Sequence, residues 1–172
     1  MSTTLKALFR LGGPGYGGDV ADYAIAEVTG GPEIHVEALI GDDPLTCFSA
    51  HLLTGVRMVG YLGGYPQRWY GLDTGVEVTQ EALDWAKDEC GQPYDLLAAI
   101  ISGFKCADSR NLQPLFCSQA FAQFYKRCGG VLGLERPNPH VLAEYLILLG
   151  ATRIESLPSG LFVPGNRAQA RA

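Results

Sequence analysis

Basic residues are scarce in this chain: 13 Lys and Arg stand against 18 Asp and Glu, a formal net charge of −5 over 172 residues. No basic stripe is available to neutralise phosphates, and Arg167 and Arg171 are too few to make one, which argues against a nucleic-acid partner. No stretch approaches the ~20 consecutive apolar residues that a bilayer span needs. Met1 to Lys6 lack the charged segment and apolar run of a secretory signal, so the chain is expected to stay in a cytoplasm or to belong to a phage particle. The five cysteines, Cys47, Cys90, Cys106, Cys117 and Cys128, contain no Cys-x-x-Cys spacing, which removes a zinc ribbon and a thioredoxin-like motif. Asp42-Asp43 lacks the further alternating oxygen ligands of a calcium loop. Gly12 to Gly18 lacks the Lys-Ser/Thr ending of a phosphate loop. No metal and no cofactor is expected, and no internal repeat stands out.

What remains is an ordinary, rather apolar composition, 47% hydrophobic and 18% charged, that predicts one globular domain over 1–166 and a tail over 167–172. Leu5 to Leu11 alternates apolar and basic residues as a short strand would. Asp19 caps a helix through Val28 that Gly30-Gly31-Pro32 ends. Strands follow at 34–40, 45–50 and 56–62, with a fourth around 69–72. Thr79 then caps a helix over 80–89, and Gly91-Gln92-Pro93 breaks the chain. An apolar helix runs from Tyr94 to Ser102, and 105–114 is a loop. Further helices span 116–128, closed by Gly129-Gly130, and from Asn138-Pro139 to Leu149. Strands first and helices second imply an α+β fold.

Two segments carry chemistry. In Ile34–Ile40 a period of two puts His35, Glu37 and Leu39 on one face and Ile34, Val36, Ala38 and Ile40 on the other. The second face is a core stripe; the first sets a carboxylate where it can orient or charge an imidazole. About eighty residues later, Pro114 stops any preceding helix and Cys117-Ser118-Gln119 opens a new one. Unpaired amides and the positive helix end stabilise a thiolate there and can hold an oxyanion. Together these halves point to a cysteine hydrolase whose histidine precedes its nucleophile. His140 reads as a surface or capping residue. Trp69, Tyr70, Trp85 and the Phe121/Phe124/Tyr125 cluster read as core.

The order Glu33-Ile34-His35-Val36-Glu37, Cys47-Phe48-Ser49-Ala50 with Gly55-Val56-Arg57, Gly91-Gln92-Pro93-Tyr94-Asp95 and Phe116-Cys117-Ser118-Gln119 resembles the circularly permuted branch of the NlpC-type papain-like cysteine peptidase and amidase superfamily. The resemblance covers roughly residues 19 to 130. It implies a permuted papain-like fold, a small antiparallel sheet or partial barrel packed on helices, with Cys117 as nucleophile and His35 as base. Glu37 is the first candidate to orient the histidine, with Ser49 or His51 on the next strand as alternatives. Tyr94 would line the site, with Ser118 and Gln119 beside the thiol. Glu33-Ile34 and Gln119 depart from the Ser/Thr and Glu usual at those places, which bears on substrate preference. The implied substrate is a peptide or peptidoglycan fragment cleaved at an amide or isopeptide bond. The same scaffold is associated with lipid acyl transfer in lecithin:retinol acyltransferase relatives, an alternative that an apolar groove of Phe48, Leu52, Leu53 and Trp69 would favour. A non-catalytic phage or cell-envelope assembly protein is the third class.

Overall fold

The computed structural model describes residues 3–42, 45–62, 66–95 and 115–162. Its order is β1 (Thr4–Leu11), α1 (Val20–Thr29), β2 (Glu33–Asp42), β3 (Leu45–His51), β4 (Gly55–Val59), a 3₁₀ turn (Pro66–Arg68), β5 (Trp69–Glu77), α2 (Gln80–Glu89), α3 (Cys117–Arg127), α4 (Pro139–Leu148) and β6 (Thr152–Arg153). The six strands form one antiparallel sheet in the order β4-β3-β2-β1-β5-β6. The class is α+β, as the segregated patterns predict.

Period-two alternation sorts the sheet into two faces. Leu5, Ala7 and Phe9 of β1, Val36, Ala38 and Ile40 of β2, and Phe48 and Ala50 of β3 join Ala82, Ala86, Ala120, Phe121, Phe124 and Leu142 from α2, α3 and α4 in the main core. Each of the fully buried phenylalanines contributes about 1.5–3 kcal/mol by leaving water. The opposite face holds a smaller core of Leu8, Leu39, Cys47, Leu62, Trp69 and Leu161. The C-terminal segment closes over it, with Leu62 N–H donating to Leu161 O at 2.6 Å. The middle of the sheet is therefore covered on both sides, whereas many antiparallel sheets leave one face wet.

The expected caps are present. Asp19, Thr79 and Asn138 each accept from a first-turn amide of α1, α2 and α4, and Pro139 occupies the first position of α4. Some expectations are corrected. β4 ends at Val59 rather than 62, and β5 runs to Glu77 rather than 72, because its pairing with β1 extends to Thr4. The two-residue β6, too short for any alternation to register, was not anticipated. The expected helix from Tyr94 and the loop over 105–114, Cys106 included, lie outside the described residues beyond Asp95, as does the tail. The four described cysteines are free thiols, Cys90 exposed and the other three buried. Among the described residues no helix is long and apolar enough to cross a membrane.

Candidate active site

Three elements bring the site together. β2 carries His35 and Glu37 with parallel side chains. The Gly91–Asp95 turn carries Tyr94, and its position is set by backbone contacts: Val56 N–H donates to Gln92 O and Gly91 N–H to Val56 O. This approach requires Gly55, whose φ is +71° and where an added Cβ would lie 2.3 Å from Gln92 O. Tyr94 then bridges to Leu115, and Asp95 N–H donates to Leu115 O, so the turn is tied to the residues that lead into α3.

α3 starts without a cap. Phe116 occupies the N-cap position and offers no side-chain acceptor, in contrast to the Asp, Thr and Asn that start the other helices. The first-turn amides stay available, and one of them, Ser118 N–H, bonds the Cys117 sulfur, as does Val36 N–H from β2. Cys117 is 4% exposed. It is hydrogen-bonded to His35 and to the Tyr94 hydroxyl.

His35 Nε2 faces Glu37 Oε1 at 2.9 Å, which leaves Nδ1 for the thiol. The same Glu37 oxygen accepts from Arg57 Nη2 at 3.0 Å. Glu37 is 1% exposed, and its other oxygen has no partner among the described residues. Burial opposes each charge in this chain, but the partners outweigh it. The Cys117 thiol is pulled below its usual value by the His35 charge, the His35 hydrogen bond and the two amides. His35 is raised to about 9 by the Cys117 charge and hydrogen bond and then by Glu37. Glu37 is held below the ordinary carboxylate value by His35 and Arg57. These shifts favour a thiolate beside an imidazolium. Burial and the neighbouring Cys117 charge push Tyr94 up, so it remains a phenol that can donate. Cys47, one strand away, shows the opposite case: burial and Glu37 raise it to about 12, so it stays a thiol.

Register explains which predicted residues meet the thiol and which do not. Arg10 pairs with both Trp69 and His35, and Ala38 pairs with Phe48, which sets His35 level with His51 and Glu37 level with Ser49. Trp69, Arg10, His35 and His51 thus form one row across four strands, and Leu8, Glu37, Ser49 and Arg57 the next. The His51 and Trp69 rings stand edge-on to His35, with centroids 6.1 and 6.2 Å away. Of the three candidates to orient His35, Glu37 makes the hydrogen bond. Ser49 Oγ is instead committed to Val36 O at 2.7 Å, and Ser118 Oγ to Pro137 O at 2.6 Å, so both hydroxyls hold backbone rather than line the site. Gln119 is buried, with Oε1 lacking a partner among the described residues.

Two further expectations are corrected. Phe48 packs on Trp85 and Phe124 on the helix-covered face, Trp69 packs on Phe162 on the other, and Leu52 and Leu53 are exposed in the β3–β4 turn, so the four form no common groove. His140 is not a surface or capping residue: its Nδ1 meets Glu33 Oε2 at 2.8 Å and ties α4 to β2. Sequence reasoning did not assign Arg57 its role, although the residue lay within a quoted motif; its only signal is charge opposite to Glu37.

No family model, curated protein or solved structure matches the chain.

Proposed function

We propose that the protein is a cysteine hydrolase of the permuted papain-like, NlpC type, cleaving an amide or isopeptide bond in a peptide or peptidoglycan-type substrate. The observation that carries this reading is the Cys117 thiol at an uncapped helix start, bonded to an imidazole that Glu37 and Arg57 brace from behind. The thiolate attacks the carbonyl carbon while first-turn amides of α3 stabilise the oxyanion. The His35 imidazolium gives its proton to the leaving amine. The imidazole so formed then takes a proton from water, which attacks the thioester and releases the acid with Cys117 restored. Glu37 is a positioning residue: it keeps the proton on Nε2 and favours the imidazolium. The lipid-acyl reading is weaker, because the apolar side chains it needs are divided between the two faces of the sheet and an exposed turn.

The test is the pH dependence of iodoacetamide labelling, located by peptide mass spectrometry, in wild type and His35→Ala, followed by digestion of purified peptidoglycan fragments. Preferential labelling of Cys117 well below pH 8, lost in His35→Ala, is expected. Labelling no faster than at exposed Cys90 would sink the hydrolase reading in favour of a binding or assembly protein.

A further inference from the structure

The row that contains His35 has a chemical bias that hydrolysis does not require. Its polar side chains are all hydrogen-bond donors, and most of their capacity is unspent. Arg10 uses Nη2 on Asp22 Oδ1 at 2.6 Å, and Arg57, one row behind, uses Nη2 on Glu37. Among the described residues neither guanidinium makes a further hydrogen bond, although each has five N–H donors, of which the Nε one is buried. Both arginine side chains reach solvent, at 34% and 28% exposure, while their carboxylate partners are at 7% and 1%. The anions are thus inside and the cations outside. His51 accepts Leu53 N–H on Nδ1 at 3.3 Å, so its neutral ring carries hydrogen on Nε2. Burial and the charges of His35, Arg57 and Arg10 hold it neutral by lowering its pKa to about 4, with Glu37 acting in the opposite sense. Trp69, 9% exposed, has a buried indole N–H with no partner among the described residues.

Charge leads to the same place. Arg10 and Arg68 share one carboxylate, Asp22, and Arg57 and His35 share another, Glu37, so among these pairs two cations stand on each anion in a chain whose net charge is −5. We propose that the Arg10–His51 row is a recognition subsite for a carboxylate carried by the substrate beside its scissile bond. Uncommitted guanidinium donors and a neutral imidazole N–H bind a carboxylate through charge-assisted hydrogen bonds, and an unbalanced positive charge next to the thiolate draws an anion toward it. A neutral or cationic group at this position would leave the donors unpaired. The assignment rests on Cys117 being the nucleophile.

The test compares two alkylating agents of similar size, anionic iodoacetate and neutral iodoacetamide, at Cys117 in wild type, Arg10→Gln and Arg10→Lys. The ratio of the two rates cancels any change in the thiolate itself. The iodoacetate-to-iodoacetamide ratio is expected to fall at least fivefold in Arg10→Gln and to be retained within twofold in Arg10→Lys. A ratio in Arg10→Gln within twofold of wild type overturns the subsite and leaves the hydrolase reading standing. Absence of preferential Cys117 labelling by either reagent in wild type overturns both. If Arg10→Gln does not fold, wild type alone decides: glutarate must protect Cys117 from iodoacetamide more than glutaramide does, and equal protection overturns the subsite.

Discussion

Strand β2 carries two glutamates that each hold a histidine. Glu37 binds His35 at 2.9 Å, and Glu33 binds His140 at 2.8 Å. By distance the two pairs are near twins, although the second is the more exposed. Their third members differ. The first pair ends on a thiol at an uncapped helix start, whereas the second shares its glutamate with the Tyr70 hydroxyl, at 2.8 Å, and has Glu144 3.6 Å beyond the ring. Burial and the Glu33 charge and hydrogen bond push that phenol up, so it is no nucleophile. A histidine–carboxylate contact is therefore an orienting device in both places, and only the group the imidazole is turned toward makes one of them chemical. The Glu33 cluster fastens α4 and β5 to β2; the Glu37 cluster polarises a sulfur.

The largest expected separation of the two comes from removing each imidazole. At pH 6, His35→Ala removes the charge and hydrogen bond that lower the Cys117 value, and its alkylation rate should fall by about tenfold or more. His140→Ala should leave that rate within twofold. Equal losses in stopped-time labelling would erase the distinction drawn here.

Next come the carboxylates. In the proposed mechanism the active form needs the thiolate and the imidazolium together, so hydrolysis should rise with pH as Cys117 ionises, earlier than an ordinary thiol does, and fall as His35 loses its proton near pH 9. Glu37 raises the His35 value, so Glu37→Gln should move the upper limb to lower pH and reduce the plateau by about tenfold, as loss of a group that orients a reacting one commonly does. Glu33→Gln should shift neither limb. A Glu37→Gln profile that superimposes on wild type would remove its positioning role.

The smallest effect is structural and belongs to the other pair. Losing the part-buried Glu33–His140 bond should cost about 1 kcal/mol, a Tm decrease of a few degrees for a chain of this size. Thermal melts of His140→Ala at pH 7 check this, and a Tm equal to wild type would show that α4 needs no such tie.

Much of this site could be read in the linear chain because its chemistry lies in short-range order. The spacing of His35 and Glu37 becomes a shared face as soon as 34–40 is a strand, and the Pro114 stop before an amphipathic run places Cys117 at a helix start. Arg57 was missed because it meets Glu37 from two strands away, and only register puts it there. The same blindness joined Phe48 to Trp69 in a groove, when opposite parity sends them to opposite faces. His140 reads as a cap by its place in the helix, and nothing local reveals that Glu33 lies beneath it.

The wide separation of His35 and Cys117 along the chain also bears on when the sulfur becomes dangerous. Its acidity is borrowed from β2, through His35 and Val36 N–H, and from the Ser118 amide of α3. Until α3 is docked on β2, the sulfur lacks the His35 and Val36 contacts that lower its value. Thiol reactivity here is a report that the long-range contacts between β2 and α3 have formed.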